Sequence, residues 1–267
     1  MSADDVRFLG LEFEGDGRSS FELVPHLARL DGRLYGGAAV AVSVAAMEAE
    51  TDGVARWTTV QFVGLSAMGE RITCQTDVLA SGRRTAQVRV TGTVDGRVVF
   101  DAIGATASRD ATGLHAQFVD APAVPAPDEC PEFRITVPKA LRRAQGLDDR
   151  ASFKLPIEFR QASSERDTDR ITLWARVAGH VATPAMLGFV ADFVPMGVAR
   201  AAGRPGGGVS LDNTIRFGPA TEDEWVLVGL DPHFAHGGYG HGIAHLWSAD
   251  GTLVATASQT ASMVFFD

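Results

Sequence analysis

Leu34 to Ala49 reads LYGGAAVAVSVAAMEA, and Ala185 to Ala202 reads AMLGFVADFVPMGVARAA. Both runs are longer than a typical strand, and their alanine content favours helix. Neither carries a clean polar stripe, and a helix that is apolar on nearly all sides is a buried one. Two internal helices, far apart in one chain of 267 residues, are the expectation from which the rest follows.

Strand-like runs with turn signals between them follow each helix. The first set is Arg56–Leu65, Glu70–Leu79, Thr85–Thr93 and Arg97–Ala107; the second is Val209–Phe217, Glu224–Leu230, Tyr239–Trp247 and Leu253–Phe266. Asp95-Gly96 and Asp250-Gly251 read as two-residue hairpin turns with both central residues at positive φ. Thr59-Val60-Gln61-Phe62 falls on Thr214-Ile215-Arg216-Phe217, Glu70 on Glu224, and Gly37 on Gly188. A helix followed by antiparallel strands is therefore written twice, and with only two copies this is a duplicated domain, not a solenoid.

A helix wrapped by an antiparallel sheet is the hotdog arrangement. The expected fold class is α+β, a double hotdog, with the two copies paired edge to edge and the ligand between them. The expected division is an N-terminal repeat at 1–120, a linker at 121–150 and a C-terminal repeat at 151–267. The linker begins with the Pro-rich run from Ala121 to Pro131, which reads as extended chain, and continues into a short Arg-rich helix from Pro138 to Gln145.

Composition narrows the function. Hydrophobic residues make up 45% and charged residues 21%, so a sizeable core needs no metal or disulfide staple. The net charge of -9 argues against nucleic acid, whose affinity rests on Lys and Arg neutralising phosphates. The acidic start MSADDVRFLG carries no signal-peptide pattern, and no apolar run reaches the ~18–20 residues of a membrane span. Two isolated thiols, Cys74 and Cys130, suit a reducing compartment, so a cytoplasmic location is expected.

The copies differ where chemistry belongs. Asp212 stands where the first copy has Trp57, Gln259 where it has Gly104, His233 where it has Leu79, and Asp192 where it has Ala41. A polar group turned inward without a partner costs about 1–3 kcal/mol, so polar groups confined to one copy point to a task there. For Asp192 the simpler reading is a side chain that faces water or caps a turn. Simple alternation puts Leu211, Asn213, Ile215 and Phe217 on one face, and Asp212, Thr214 and Arg216 on the other. Asp212 and Gln259 are the expected site, the carboxylate taking a proton from water and the amide orienting its oxygen. That is hydrolysis without a covalent intermediate, suited to an acyl group with a good leaving group, as in a thioester.

On these residues the chain resembles the acyl-CoA thioesterase II family of double hotdog thioesterases. The similarity runs through Arg33-Leu-Tyr-Gly-Gly37, Val60-Gln-Phe-Val63, Asp192, Ser210-Leu-Asp212, Glu224-Trp-Val-Leu227, and Asp250-Gly-Thr-Leu-Val254 leading to Gln259. It implies hydrolysis of acyl-CoA to fatty acid and CoA by a trio of Asp, Thr or Ser, and Gln. Asp212 matches the first member and Gln259 the third; an ungapped count from Glu224-Trp225 puts His233 at the second, a departure from the pattern. It also implies an oxyanion donor, a backbone N–H near the start of a central helix, which Gly37 matches.

The runner-up is an acyl-CoA or lipid-binding protein with a degenerate site, kept open by His233. An enoyl-CoA hydratase of the same fold wants Asp and His together on one helix, and neither central helix carries a His. His233, His236, His241 and His245 lack the spacing of a metal site, and neither metal nor cofactor is expected. Apolar residues on both faces of Val226–Leu230 and Met263–Phe266 suggest a covered outer face, hence a homodimer.

Overall fold

The computed structural model describes residues 1–108, 115–135, 155–165 and 170–265. Helix α1 (Ala3–Leu9) leads into β1 (Glu12–Gly15) and β2 (Arg18–Glu22). Helix α2 (Gly36–Thr51), β3 (Val54–Phe62), β4 (Arg71–Ser81), β5 (Thr85–Val94) and β6 (Arg97–Ala107) complete the first half. The second half runs β7 (Ile157–Glu165), β8 (Arg170–Val177), α3 (Pro184–Val190), α4 (Val194–Ala201), β9 (Gly206–Phe217), β10 (Val226–His236), β11 (Tyr239–Trp247) and β12 (Leu253–Phe265). The expected short helix at Pro138–Gln145 lies outside the described residues.

Both long apolar runs are central helices, but only the first is continuous. Every residue of α2 from Gly37 to Glu48 is buried. The second run is split by a turn at Ala191–Phe193. Pro195 is the physical reason. A proline ring clashes with the preceding helical turn and offers no N–H, so it fits only the first turn of a new helix, where α4 places it.

The twelve strands among the described residues form one sheet in the order β1-β2-β4-β5-β6-β3-β9-β12-β11-β10-β8-β7, every neighbouring pair antiparallel. The halves join through β3 and β9, one inner strand each, and the fold is the double hotdog. Thr59 pairs with Thr214, their hydroxyls 2.9 Å apart and their positions 155 residues apart. The sequence alignment makes these two residues equivalent, so a pseudo-twofold axis passes between them. The copies even share their irregularities. β3 bulges at Arg56 and β9 at Leu211, while β4 bulges at Leu79 and β10 at His233.

The Asp95-Gly96 turn has both residues at positive φ, 50° and 77°, as expected. At Asp250-Gly251 only the glycine does, at 86°. The hairpin there has a longer loop, because Asp250 Oδ1 accepts from the Ser248 hydroxyl at 2.6 Å and the Thr252 N–H at 3.0 Å. The Gly206–Gly208 run is the start of β9.

The Pro-rich stretch is extended as far as Ala126 and then makes a 3-10 turn at Pro127–Glu129, and it is also packed. Trp174 Nε1 donates to the Pro125 carbonyl at 2.9 Å, and Trp247 Nε1 to that of Val119 at 3.3 Å. Cys130, Trp174, Leu227 and Trp247 form a separate buried cluster with Val124 and Ala121 against it. The two-faced apolar character of Val226–Leu230 therefore has a cause within the chain: this stretch covers one face and the central helix the other.

Candidate active site

The side chains that converge are Asp192, Ser210, Asn213 and Gln259. Gln259 lies on β12 directly opposite Asn213 on β9, and both are fully buried. Ser210 is three residues before Asn213, a spacing that regular alternation sends to opposite faces. The bulge at Leu211 inserts one residue, so Ser210 pairs with the inward-facing Ala261 and shares the face of Asn213. Asp192 reaches this face from the turn between α3 and α4.

One carboxylate gathers three donors. Asp192 Oδ2 accepts from the Gly37 main-chain N–H at 3.0 Å. Its Oδ1 accepts from Asn213 Nδ2 at 3.2 Å and from Gln259 Nε2 in a short contact. Gln259 Nε2 also lies 2.6 Å from the Ser210 hydroxyl oxygen, so the amide bridges acid and alcohol. Burial pushes the Asp192 pKa up to about 6, outweighing the opposing bonds from Asn213, Gln259 and Gly37 and the positive charge of Arg29. The buried Tyr35 phenol, pushed well above its usual range by burial and by Asp192, donates to the Phe189 carbonyl at 3.0 Å and props the helix junction.

Gly36 and Gly37 allow the close approach. A Cβ on Gly36 would stand 2.4 Å from Asp192 Oδ2, and one on Gly37 would stand 2.4 Å from the Phe189 carbonyl oxygen. The site opens on a cavity of about 290 Å³, lined by Tyr35, Phe62, Phe100, Phe193 and Met196 among others. It lies where the sheet forks. β3 pairs with β9 only along Asp212–Arg216, so Gly206–Ser210 of β9 are paired with β12 alone, and the cavity enters beside them. Arg29, Asp31 and Arg33 are its charged lining residues besides Asp192.

Of the four residues expected from the sequence, the structure brings Gln259 and Gly37 against Asp192 and sets Asp212 and His233 apart from this cluster. Asp212 faces the outer side of the sheet, where its Oδ1 accepts from the Thr260 N–H at 3.1 Å. His233 is exposed at the β10 bulge, its ring 5.4 Å from that of His241 on the same outer face. The Gly37 N–H is spent on Asp192 and is not open to a ligand. The carboxylate in place is Asp192 and the hydroxyl in place is Ser210. Two signals pointed there. Asp192 is the one acidic residue in the apolar run Ala185–Ala202, and charges are almost never fully buried unless paired. Pro195, three residues on, forecasts the break that frees it.

Among the described residues, the first half holds no counterpart of this centre. At the positions of Ser210, Asn213 and Gln259 stand Ala55, Thr58 and Gly104, and a Cβ on Gly104 would meet the Trp57 carbonyl oxygen at 2.5 Å and Met47 sulfur at 2.8 Å.

Fold and site together define a double hotdog with a single acid–hydroxyl–amide centre in its second half. The chain matches the acyl-CoA thioesterase N-terminal domain over residues 25–110 and the acyl-CoA thioesterase C-terminal domain over residues 120–263, and it belongs to that family. A protein of Novosphingobium aromaticivorans, provisionally named a thioesterase, is 32% identical over 94% of this chain and 97% of its own, with a TM-score of 0.81. The acyl-CoA thioesterase II TesB2 of Mycobacterium marinum is similar in fold, at 18% identity over 98% of this chain and 99% of its own, with a TM-score of 0.74. So is a hot dog protein of Alicyclobacillus acidocaldarius, at 21% identity over 99% of each chain, with a TM-score of 0.79. No curated protein matches the sequence. Among the described residues, no helix is long and apolar enough to cross a membrane.

Proposed function

We propose that the protein hydrolyses acyl-CoA to free fatty acid and CoA by direct attack of water, with Asp192 as general base and Ser210 and Gln259 orienting the water. The observation that carries this is the buried Gln259 amide bridging Asp192 and Ser210, both of which line an apolar cavity. A carboxylate with a pKa near 6 is ionised at neutral pH and still basic enough to take a proton in the transition state. The trio is Asp, Ser and Gln, the pattern that the family resemblance implies. His233 is not a member, so the reading of a degenerate, merely binding site loses its motive.

The developing oxyanion requires a donor other than Gly37. Gly36 is the first residue of α2, so its N–H has no acceptor within the helix, and Gly36 lines the cavity. A helix N-terminus favours negative charge there. Arg29 and Arg33 offer cations at the same cavity for the phosphates of CoA. A cytoplasmic enzyme assembled as a homodimer completes the reading. Both free cysteines, Cys74 and Cys130, fit a reducing compartment, and light scattering against the 28.3 kDa of one chain tests the assembly.

The deciding experiment is thiol release from a panel of acyl-CoA substrates, followed with a chromogenic thiol reagent, for the wild type and for Asp192→Asn. Turnover by the wild type and its loss in the variant is the expected result. Equal turnover by both enzymes would overturn the assignment.

A further inference from the structure

Asn213 is the buried member of the cluster that the proposed mechanism does not use. It is fully buried, its Nδ2 reaches Asp192 Oδ1 at 3.2 Å, and its Oδ1 is a buried acceptor with no partner. Gln259 Oε1 is in the same condition. Each amide in this pair gives its donor to the site and leaves its acceptor unmet, although an unpaired buried acceptor is costly.

The fold itself does not need an amide here. The pseudo-twofold axis puts Thr58 at the equivalent point of β3, equally buried, and its hydroxyl is satisfied by the Ile103 carbonyl at 3.2 Å across its own sheet. The same strand position thus has a solution that closes all its hydrogen bonds locally. The second half carries instead a side chain that reaches out of the sheet to the acid and leaves an acceptor open.

We infer that Asn213 is a positioning residue: its Nδ2 holds the Asp192 carboxylate in the orientation for proton uptake, and its Oδ1 accepts from a donor that enters with the substrate or the attacking water. The catalytic part of this inference rests on the hydrolytic reading above; the hold on Asp192 does not. Among the described residues, the groups facing Asp192 are the Tyr35 phenol from the residue just before α2, the Gly37 N–H from α2, Arg29, Asp31 and Arg33 lining the same cavity from the preceding loop, Ser210 and Asn213 from β9, and Gln259 from β12. Burial keeps the Tyr35 phenol neutral. A donor bond to the ionised carboxylate lowers its proton affinity, so loss of the Asn213 bond must raise it.

The test is a carbon-13 NMR titration of the full chain labelled at aspartate, with the Asp192 signal assigned by its absence in Asp192→Asn. The variants are Asn213→Thr, which installs the first half's residue, and Asn213→Ser. The expected result is a folded protein whose Asp192 midpoint rises by about one pH unit. In thioester turnover the acid limb of kcat moves up by the same amount and KM changes little. An unchanged midpoint in a folded variant overturns the inference, since a merely packed amide would not move it. Unfolding of both variants also overturns it, because the fold is then what the amide serves. The titration needs no turnover, so a wild type inactive on every thioester would defeat the hydrolytic reading and leave this result standing.

Discussion

The main-chain N–H of Gly37 lies 3.0 Å from Asp192 Oδ2, a hydrogen bond between residues 155 positions apart. The first residues of one half's helix thus hold the acid of the other half. Neither half contains the site alone, since Tyr35, Gly36 and Gly37 come from the first and Asp192, Ser210 and Gln259 from the second.

Replacement of the two candidate acids separates them. Asp192→Asn should fold and lose about 10²–10⁴-fold in kcat, the usual loss for a general base. Asp212→Asn, on the outer face of the sheet, should keep kcat within about twofold. Steady-state thiol release measures both, and the reverse pattern would restore Asp212 as the base.

Acid should silence the enzyme near pH 6. The proposed base works as the carboxylate, and burial raises its pKa to about 6, so log kcat should fall with unit slope below that pH. Stability carries the opposite sign. Because the folded pKa lies above the unfolded value of 3.8, the native state binds the extra proton between roughly pH 4 and 6. The associated stability is fully present below pH 4 and is lost as pH rises through 6, by about 2–3 kcal/mol. Urea titrations of the wild type and Asp192→Asn at pH 4 and pH 7 should show the difference shifting toward the variant at pH 7.

The proposed mechanism has the bridging amide and hydroxyl act on water, not on CoA. Ser210→Ala and Gln259→Ala should therefore lower kcat by more than they raise KM. A rise confined to KM in either variant would make that residue a binding group.

Gly36→Ala tests the close approach of α2 to the acid. Its methyl would meet Asp192 Oδ2 at 2.4 Å, so the carboxylate must shift. A displacement near 1 Å costs on the order of 10² in rate. The expected outcome is a folded enzyme with that loss in kcat, read against a thermal melt that shows the fold intact.

The packed linker makes a prediction about stability alone. Trp174 is 5% exposed, and its indole N–H is bonded to the Pro125 carbonyl. Trp174→Ala should cost about 3–5 kcal/mol in urea unfolding while leaving kcat per folded molecule unchanged. A loss under about 1 kcal/mol would show that the linker adds no stability.

The sequence by itself determined the two buried helical runs, the strands that follow each, and the repeat register that superimposes Thr59 on Thr214. These rest on apolar runs, turn residues and self-similarity, which are local or periodic signals. Only the tertiary structure decided which acid lies beside Gln259. One inserted residue, Leu211, turns Ser210 to the face of Asn213 and leaves Asp212 on the other side. A bulge of this kind is a property of the pairing with β12, where Asp212 meets Thr260 and Ser210 meets Ala261, not of the β9 sequence. Asp192 was hidden for a related reason. A lone carboxylate in an apolar helix is too costly to bury until a second chain segment brings donors to it. Asn213 and Gln259 come to it from two strands of its own half and Gly37 from the other half, so the full set of donors meets Asp192 only in the assembled fold.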